Sequence, residues 1–211
     1  MNKQVIMPIV LHHDKSADYT FSLLLNMGGV ALSVYNASWH NTPFTISFNN
    51  ALRMFIKQDH YTHVMVMNND ISLTSEEFWA INERVGGRQG IFSASCNSPH
   101  PEVMSPQGNG STRIVDWLEF VSPVFSRDVV QDVGYLDEQM TLGWGIDIDY
   151  CYRAKQKGYT CTLLQNIQFT HYEHKSQDSH YEYSIKAQDE MDSALLKKYG
   201  ANWRKTLRFK C

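Results

Sequence analysis

Short apolar runs alternate with segments of helical periodicity along the first half of this chain. Four runs have the length and apolar content of buried strands: residues 4–11, 30–36, 62–68 and 89–95. Three intervening segments have the spacing of amphipathic helices: residues 17–27, 43–58 and 75–85. This alternation is typical of a mainly parallel sheet with helices on both faces. We therefore expect an α/β fold.

The second half continues the pattern after an interruption. Residues 96–111 are rich in proline and glycine, and a loop of that length in a compact domain is usually a functional lid or disordered. Beyond it we predict strands over 112–122 and 159–170, and helices over 126–133, 147–157 and 182–199. Local signals support several ends: Thr74 with Glu77 forms a capping-box sequence, Ser126 can cap the next helix, and Gly158 can stop another.

Length, charge and cysteine usage restrict the class of protein. A chain of 211 residues suits one domain, which we divide into residues 1–95, 96–180 and a terminal helix with a basic tail, 181–211. The net charge of -3 offers no field for nucleic acid. Four cysteines without paired spacing suggest thiols in a reducing compartment, and the first apolar run is too short to span a membrane, so we expect a cytoplasmic protein. The basic tail is a solvated end or a peripheral contact with phosphate or an anionic membrane.

Asn68, Asn69 and Asp70 follow an apolar strand directly. Residues two apart in a strand point to the same side, so Asn68 and Asp70 can offer two oxygens to a divalent ion. The same residue types also favour an ordinary turn. The site interpretation therefore depends on what else lies at this end of the sheet.

A second polar group follows Gly143-Trp144-Gly145. The glycines can act as hinges around an aromatic plate, and Asp147 falls in the first turn of a predicted helix, where the helix dipole favours an ionised carboxylate. Such a carboxylate can serve as a general base. Asp149 and Arg153, four residues apart, are predicted to form a structural pair.

His171 ends the last predicted strand. It is either a hydrogen-bonded histidine or a metal ligand, and a neutral imidazole suits Mn²⁺, Zn²⁺ or Fe²⁺ better than Mg²⁺ or Ca²⁺. His174 and His180 are alternative ligands nearby in the sequence.

Several motifs, taken in order, resemble those of glycosyltransferase family 2, the nucleotide-sugar transferases of the GT-A fold. In the first half they are Tyr-Asn-Ala-Ser at 35–38, Phe-Asn-Asn-Ala at 48–51 and the strand ending in Asn-Asn-Asp at 64–70. In the second half they are 133–138, 143–153, Gly-Tyr at 158–159 and the His-to-Ser stretch at 171–176. The Gly-Trp-Gly segment is also similar to the β-1,4-galactosyltransferase type, in which the tryptophan lines the acceptor site.

This resemblance, which covers about residues 4–176, implies a Rossmann-like GT-A domain and a role for each matching residue. Asp70, His171 and Asn68 would hold Mn²⁺ or Mg²⁺ on the nucleotide diphosphate, and Asp147 would be the catalytic base of an inverting enzyme. The residues implied beside the nucleotide are Leu11, His12, Asp14, Tyr35, Asn36 and Asn69. The residues implied or predicted on the acceptor side are Trp144, Gly145, Asp149 and Trp117, with core packing as the alternative for Trp117.

The expected function is transfer of a hexose from a nucleotide sugar, with UDP-glucose or UDP-galactose favoured, to a hydroxyl of a glycan or glycoconjugate. Tyr35 and Ile146 stand where many family members carry acids, which leaves open a non-catalytic protein that binds a sugar nucleotide or glycan. A nucleotidyltransferase is a third possibility, but residues 11–17 lack the glycines that its phosphate loop needs.

Overall fold

The structure is a computed structural model that describes residues 3–12, 17–37, 42–172 and 180–209. The strands are β1 (Ile6–His12), β2 (Ser33–Asn36), β3 (His63–Asn68), β4 (Ile71–Ser72), β5 (Ile91–Cys96), β6 (Thr112–Val115), β7 (Val124–Ser126) and β8 (Cys161–His171). The helices are α1 (Ala17–Asn26), α2 (Phe44–Ile56), α3 (Ser75–Val85), α4 (Pro101–Met104), α5 (Arg127–Val133), α6 (Ile146–Gln156), α7 (His180–Tyr199) and α8 (Trp203–Thr206).

The described strands form a mixed sheet in the order β2-β1-β3-β7-β5-β8-β4, with β6 also paired to β8. The pairs β1–β2, β1–β3 and β5–β8 are parallel. The short strand β7 lies antiparallel between β3 and β5, so β1, β2, β3, β5 and β8 all run in one direction. The α/β fold predicted from the alternating pattern is confirmed, and the antiparallel strands are short additions to a parallel frame.

The predicted strand at 112–122 was too long. Only Thr112–Val115 pairs with β8. After Val115 the chain buries Trp117 and Leu118 side by side, and then Phe120 and Val121. Neighbouring side chains of a pleated strand point to opposite faces, so these consecutive buried residues suit an irregular segment that packs into the core. We call residues 116–122 the crossing segment.

Burial explains why the central strands form. Residues 6–11 of β1 and 63–67 of β3 are all buried, as expected for strands covered on both faces. Phe48, Phe120, Phe125 and Tyr150 pack their rings together, with centroid separations of 5.1 to 6.0 Å. The core therefore joins α2, the crossing segment, β7 and α6.

Two of the predicted caps behave differently. Thr74 and Glu77 form the capping box that the sequence predicted, with both reciprocal hydrogen bonds present. Ser126 occupies the position before α5, but its hydroxyl accepts a hydrogen bond from the Gly90 backbone instead of capping the helix. The Ser126 hydroxyl, which the local sequence predicted as a helix cap, therefore binds the backbone just before β5.

The basic C-terminal segment is largely paired with acids on the body of the protein. Lys198 lies 2.6 Å from Asp149, Arg204 lies 2.6 Å from Asp192, and Arg208 lies 3.1 Å from Asp116. These pairs fasten the end of the described chain to α6, α7 and the crossing segment. Arg204 and Arg208 remain 44% and 71% exposed, as expected for a solvated end, and a contact with phosphate or a membrane stays a prediction. No helix in the described ranges combines the length and apolar character needed to cross a membrane.

Candidate functional site

The carboxyl ends of β1, β2 and β3 meet at one edge of the sheet. In the register of these strands, Leu11 stands beside both Tyr35 and Asn68, and His12 stands beside Asn36. Ligands of open α/β sheets bind at this edge. The structure therefore brings five of the residues predicted beside the nucleotide or metal into one row.

Side chains in this row differ in what they can offer a ligand. Leu11 is buried, so only its backbone could contact a nucleoside. The Asn69 amide donates to the Thr20 hydroxyl at 2.8 Å, and His12 Nδ1 lies 2.8 Å from the same oxygen. These contacts fix α1 against the edge. Asn69 is buried and serves this packing, so its predicted contact with nucleotide is not supported by its placement.

Tyr35 reaches toward α2, where its hydroxyl accepts a hydrogen bond from the Asn50 amide at 2.9 Å. Asn36 is half-buried at the end of β2. Asp14, also predicted beside the nucleotide, and His174 lie outside the described residues, and the side chain of His180 is likewise undescribed.

Asp70 and His171 come together through pairing of β4 with β8. Ile71 is opposite His171 in that pair, and the Tyr172 backbone N–H donates to the Asp70 carbonyl at 2.9 Å. The His171 Nε2 atom lies 3.5 Å from Asp70 Oδ1, and both side chains are at least nine-tenths buried. Two potential metal ligands that are distant in the sequence thus lie next to each other.

Asn97 holds the backbone of His171 in place. Its amide nitrogen donates to the His171 carbonyl and its amide oxygen accepts from the His171 N–H, both at 2.8 Å. The last residue of β8 is therefore fixed by a side chain at the end of β5. Sequence reasoning missed this role, because an asparagine after a strand gives no sign of its distant partner.

The donor set suits a divalent ion that completes its shell with other ligands. A carboxylate oxygen and an imidazole nitrogen are both ligands of Mn²⁺. An ion that also binds the oxygens of a diphosphate needs few ligands from the protein. Within the described residues, no group of three or more His, Cys, Asp and Glu side chains could enclose a metal alone. Asn68 is half-buried at the same edge, and its backbone N–H donates to the Val121 carbonyl at 2.9 Å.

Two glycines shape the turn that precedes α6. Gly143 and Gly145 have φ of +91° and +79°, a region that L-residues with side chains rarely adopt. A Cβ on Gly143 would lie 2.5 Å from Phe44 Cδ1, and one on Gly145 would lie 2.5 Å from Met191 Cγ. Gly145 is buried, so its part in an acceptor site is to shape the backbone. Trp144, between them, is half-buried and has ring surface that a sugar could cover.

Asp147 lies half-buried in the first turn of α6. Burial of the carboxylate and, to a smaller extent, the charge of Glu119 raise its pKa to about 7. Backbone N–H groups of Ile148, Asp147 and Phe120 oppose that rise, and the Ile148 N–H lies 2.8 Å from Asp147 Oδ1. A carboxylate that titrates near neutral pH is well matched to taking up a proton from a substrate.

The crossing segment joins Asp147 to the sheet edge. The Phe120 N–H lies near enough to the Asp147 carboxylate to lower its pKa, and the next residue, Val121, accepts at its carbonyl from the Asn68 N–H. Two adjacent residues therefore connect the candidate base with the strand that leads to Asp70. The two halves of the predicted site lie on either side of this short segment.

Asp149 and Trp117, both predicted on the acceptor side, are instead buried in contacts within the protein. Asp149 is fully buried and is bound by Arg153 at 2.9 Å, Lys198 at 2.6 Å and Tyr199 at 2.7 Å. The predicted pair with Arg153 is confirmed, but this enclosure leaves Asp149 no face for an acceptor. Trp117 is only 2% exposed and packs against the rings of His100 and Phe209, which makes it a core residue.

Sequence reasoning also missed Glu119, the acid whose charge helps to raise the pKa of Asp147. It is a single charge within the apolar run Trp117 to Val121. An isolated acid in such a run is a usable signal, because burial without a purpose is costly. The alternation over 112–122 indicates a strand and gives no role to this acid.

The architecture and this sheet edge define the class: the fold is that of the GT-A glycosyltransferases. Over 98% of this chain it is similar to the structure of GalNAc-T7 with UDP, GalNAc and Mn²⁺, with a TM-score of 0.60, 7% identity and 55% of that chain covered. It is also similar to the catalytic domain of Drosophila β1,4-galactosyltransferase 7 in complex with xylobiose, with a TM-score of 0.54, 14% identity, and 87% and 79% of the two chains covered.

A third similar structure is A197 from STIV, with a TM-score of 0.53, 10% identity, and 81% and 86% of the two chains covered. In sequence, the chain matches uncharacterized proteins of Mycobacterium tuberculosis and Mycobacterium bovis with 27% identity over 135 residues, 57% of this chain. The matched stretch spans about half, 51%, of the length of those relatives. No family model matches the chain.

Proposed function

We propose that this protein is a metal-dependent, inverting glycosyltransferase that moves a hexose from a nucleotide sugar to a hydroxyl group of a glycan or glycoconjugate. The observation that carries the proposal is the crossing segment. The Phe120 N–H in this segment lies near enough to the Asp147 carboxylate to lower its pKa, and the Val121 carbonyl accepts a hydrogen bond from the Asn68 N–H at the end of β3. A candidate base and a candidate metal-diphosphate position thus lie on neighbouring sides of one short backbone stretch.

Asp70 and His171 are the residues that would hold the ion, which would be Mn²⁺ or Mg²⁺. A bound divalent ion would neutralise negative charge on the departing diphosphate. The carboxyl ends of β1 and β2, with His12, Tyr35 and Asn36, would contact the nucleoside. UDP is the favoured carrier, supported by the similarity to a GalNAc-T7 structure that contains UDP and Mn²⁺.

Asp147 would act on the acceptor. As the acceptor oxygen forms its bond to the anomeric carbon, the bond from that carbon to the diphosphate oxygen breaks, and the acceptor proton moves to an oxygen of Asp147. Attack from the face opposite the diphosphate inverts the anomeric configuration. Trp144 lies three residues before Asp147, in the turn that leads into α6, and would pack against the acceptor sugar.

Positioning is what this site supplies beyond the base. Glycosyl transfer needs two reactants held in line, and a fixed near-attack arrangement removes much of the entropic cost. On the acceptor side, the tightly packed turn at Gly143 and Gly145 is a fixed point. On the metal side, two hydrogen bonds from Asn97 fix the backbone of His171.

A donor screen tests the proposal. The protein is mixed with UDP-glucose, UDP-galactose, UDP-GalNAc and dTDP-rhamnose, each with Mn²⁺ or with EDTA, and both binding and release of free nucleoside diphosphate are measured. We expect Mn²⁺-dependent binding and slow hydrolysis of one donor, and faster turnover with a matching glycan acceptor. Binding without any turnover across donors and acceptors would instead identify a non-catalytic sugar-nucleotide binder.

A further inference from the structure

A groove outside the candidate site lies along the second half of α6. Its volume is about 820 Å³, within the usual range for a ligand site. It is bordered by the later residues of α6, by β6 with the start of the crossing segment, and by residues 206–208. The groove is therefore large enough for a ligand of the size of a short oligosaccharide.

This groove is far from the metal position and nearer to the candidate base. Cys161, which lines it, begins β8, whereas His171 ends that strand, so the two lie roughly 30 Å apart at the rise of a strand. Lys155, another lining residue, follows Asp147 by eight positions on α6, which is about 12 Å along the helix axis. The groove is thus placed for a distant part of an acceptor rather than for a sugar nucleotide.

Cations outnumber acids in the lining of the groove. Lys155 and Arg208 lie 2.7 and 3.1 Å from the same oxygen of Asp116, so one carboxylate faces two cations. Arg113 donates to two backbone carbonyls, and among the described residues no acid lies within ion-pair distance of it. The other lining acid, Glu102, lies 3.6 Å from the His100 ring. The net positive charge of the lining favours an anionic ligand.

Arg208 has a strained backbone. Its φ is +57°, and no other non-glycine residue in the described ranges has a positive φ. It ends α8 in a Schellman motif, in which the Phe209 N–H donates to the Arg204 carbonyl at 2.8 Å and its own N–H donates to the Lys205 carbonyl at 3.2 Å. Glycine is the usual residue at this position and would relieve the strain, but it would remove the guanidinium.

Stability does not explain why an arginine occupies this position. The Arg208 side chain is 71% exposed and that of Asp116 is 38% exposed. An exposed ion pair of this kind adds little to the free energy of unfolding. Backbone strain that brings little stability is typical of functional sites. The Arg208 guanidinium is therefore suited to bind a ligand in the groove that it lines.

Two tyrosines present ring surface to the groove. Tyr152 and Tyr159 are both half-buried, and both line it. The Tyr152 ring packs edge-on against the Tyr199 ring with centroids 5.3 Å apart, and the Tyr159 hydroxyl donates to the Asp132 carboxylate. Rings that are fixed in this way can stack on the apolar faces of sugars. Fixed rings beside cations suit an acidic sugar chain.

We propose that this groove binds an oligosaccharide that carries carboxylate or phosphate groups, and that it anchors a distant part of an acidic acceptor during transfer. Lys155 and Arg208 bind the anionic groups, and Tyr152 and Tyr159 stack on the sugar rings. The anchoring role rests on the proposed function. Binding itself needs no transfer, so the two are tested separately.

The first test measures binding without donor or Mn²⁺. Calorimetry compares two acidic ligands, octagalacturonate and a phosphorylated malto-oligosaccharide, with neutral maltooctaose and with octaglutamate. We expect one acidic oligosaccharide to bind at least about tenfold more tightly than maltooctaose, and to bind less tightly as NaCl screens the charges. Equal binding of acidic and neutral sugars, or no binding of either acidic sugar, would overturn the inference. Tighter binding of octaglutamate would show that the groove takes an acidic peptide instead.

The second test substitutes the groove residues. Arg208→Gly and Lys155→Gln should each weaken binding of the acidic oligosaccharide by about fivefold or more, because each removes hydrogen bonds to a charged group. Arg208→Gly should also resist denaturant at least as well as the wild type, since glycine adopts a positive φ without strain. Its loss of affinity is then not a folding defect. The control is Arg84→Gln, which removes an exposed arginine in the last turn of α3. Equal affinity in the wild type, Arg208→Gly and Lys155→Gln would contradict the assignment.

The third test uses the reaction, with a donor found in the screen. In Arg208→Gly the KM for a long acidic acceptor should rise about fivefold or more, whereas kcat and the KM for a short neutral acceptor should match the wild type. An unchanged KM for the acidic acceptor would refute the anchoring role. Binding of the acidic oligosaccharide by a protein that transfers no sugar would uphold the groove and remove the proposed function. Transfer by a protein whose groove binds no acidic sugar would do the reverse.

Discussion

At the scale of single residues, the two acids of α6 show how environment divides similar side chains. Asp147 and Asp149 both lie in the first turn, two positions apart. Asp149 turns inward to a guanidinium, an ammonium and a phenol, whereas Asp147 accepts from the Ile148 N–H and has a pKa raised by burial and by the charge of Glu119. The paired carboxylate of Asp149 is suited to a structural role, whereas the raised pKa of Asp147 is suited to proton transfer.

Asp147→Asn should remove transfer and preserve ligand binding. The amide keeps the size of the side chain but cannot take up the acceptor proton, so the turnover rate should fall by at least roughly 10²-fold. Binding of nucleotide and Mn²⁺, measured by titration calorimetry, should change little. In the wild type the rate should rise with pH through about 7, because the base must be ionised. Full turnover in the variant would exclude Asp147 as the base.

The metal position makes a separate prediction. Asp70→Asn should weaken Mn²⁺-dependent binding of UDP by about tenfold or more, since a neutral amide attracts a cation less than a carboxylate does. Calorimetry with and without EDTA measures the metal-dependent part. Asp192→Asn, which removes an acid paired with Arg204 on α7, is the control. Equal metal dependence in the wild type and Asp70→Asn would place the ion elsewhere.

At the scale of elements, α7 holds the turn that carries Trp144. Both carboxylate oxygens of Glu190 lie 2.9 Å from the Thr141 hydroxyl, and one accepts from the Leu142 N–H at 3.1 Å. Tyr183, two helical turns earlier, donates to the Leu142 carbonyl at 2.6 Å. The predicted C-terminal helix therefore supports the turn at 143–145 from outside.

Glu190→Ala should loosen this turn. Loss of hydrogen bonds to a charged group should cost about 1.5 to 3 kcal/mol of unfolding free energy, measured by denaturant titration. Turnover should fall more than nucleotide binding does, because Asp147 and Trp144 lose a fixed support. The control is Glu182→Ala, which removes an exposed acid at the start of the same helix. A Glu190→Ala protein that matches this control in both stability and turnover would show that α7 does not support the turn.

The proline- and glycine-rich segment at 96–111 belongs to the same scale. Arg113 donates to the carbonyls of Glu102 and Ser105, and Gln165 bonds the backbones of Gln107 and Gly110, so side chains of β6 and β8 fasten it. The predicted loop contains the short helix α4. A lid movement of this segment remains a prediction that these contacts would oppose.

At the scale of the whole molecule, a ligand that binds at the sheet edge contacts several strands at once. UDP with Mn²⁺ should therefore stabilise the folded protein against unfolding. At a free UDP concentration of about 100 times Kd the gain is about 2.7 kcal/mol, which corresponds to a rise in Tm of roughly 5 to 10 °C for a chain of this size. Thermal unfolding with UDP and Mn²⁺, and with UDP and EDTA, measures it. The same shift with EDTA would contradict a metal-bridged diphosphate.

The sequence by itself determined the α/β class, the ends of many elements and the positions of Asp70, Asp147 and His171 at those ends. Periodicity, capping residues and glycine preferences act over a few neighbouring residues, so the chain carries them locally. Only the tertiary structure decided that Asp149 is enclosed whereas Asp147 is not, that Trp117 is buried and that Glu190 holds the turn before α6. Those outcomes depend on which distant segments pack together: β7 between β3 and β5, the crossing segment against α6, and α7 over the glycine turn. Pairings of this kind leave no local pattern, because each partner is an ordinary residue until the fold brings the other to it.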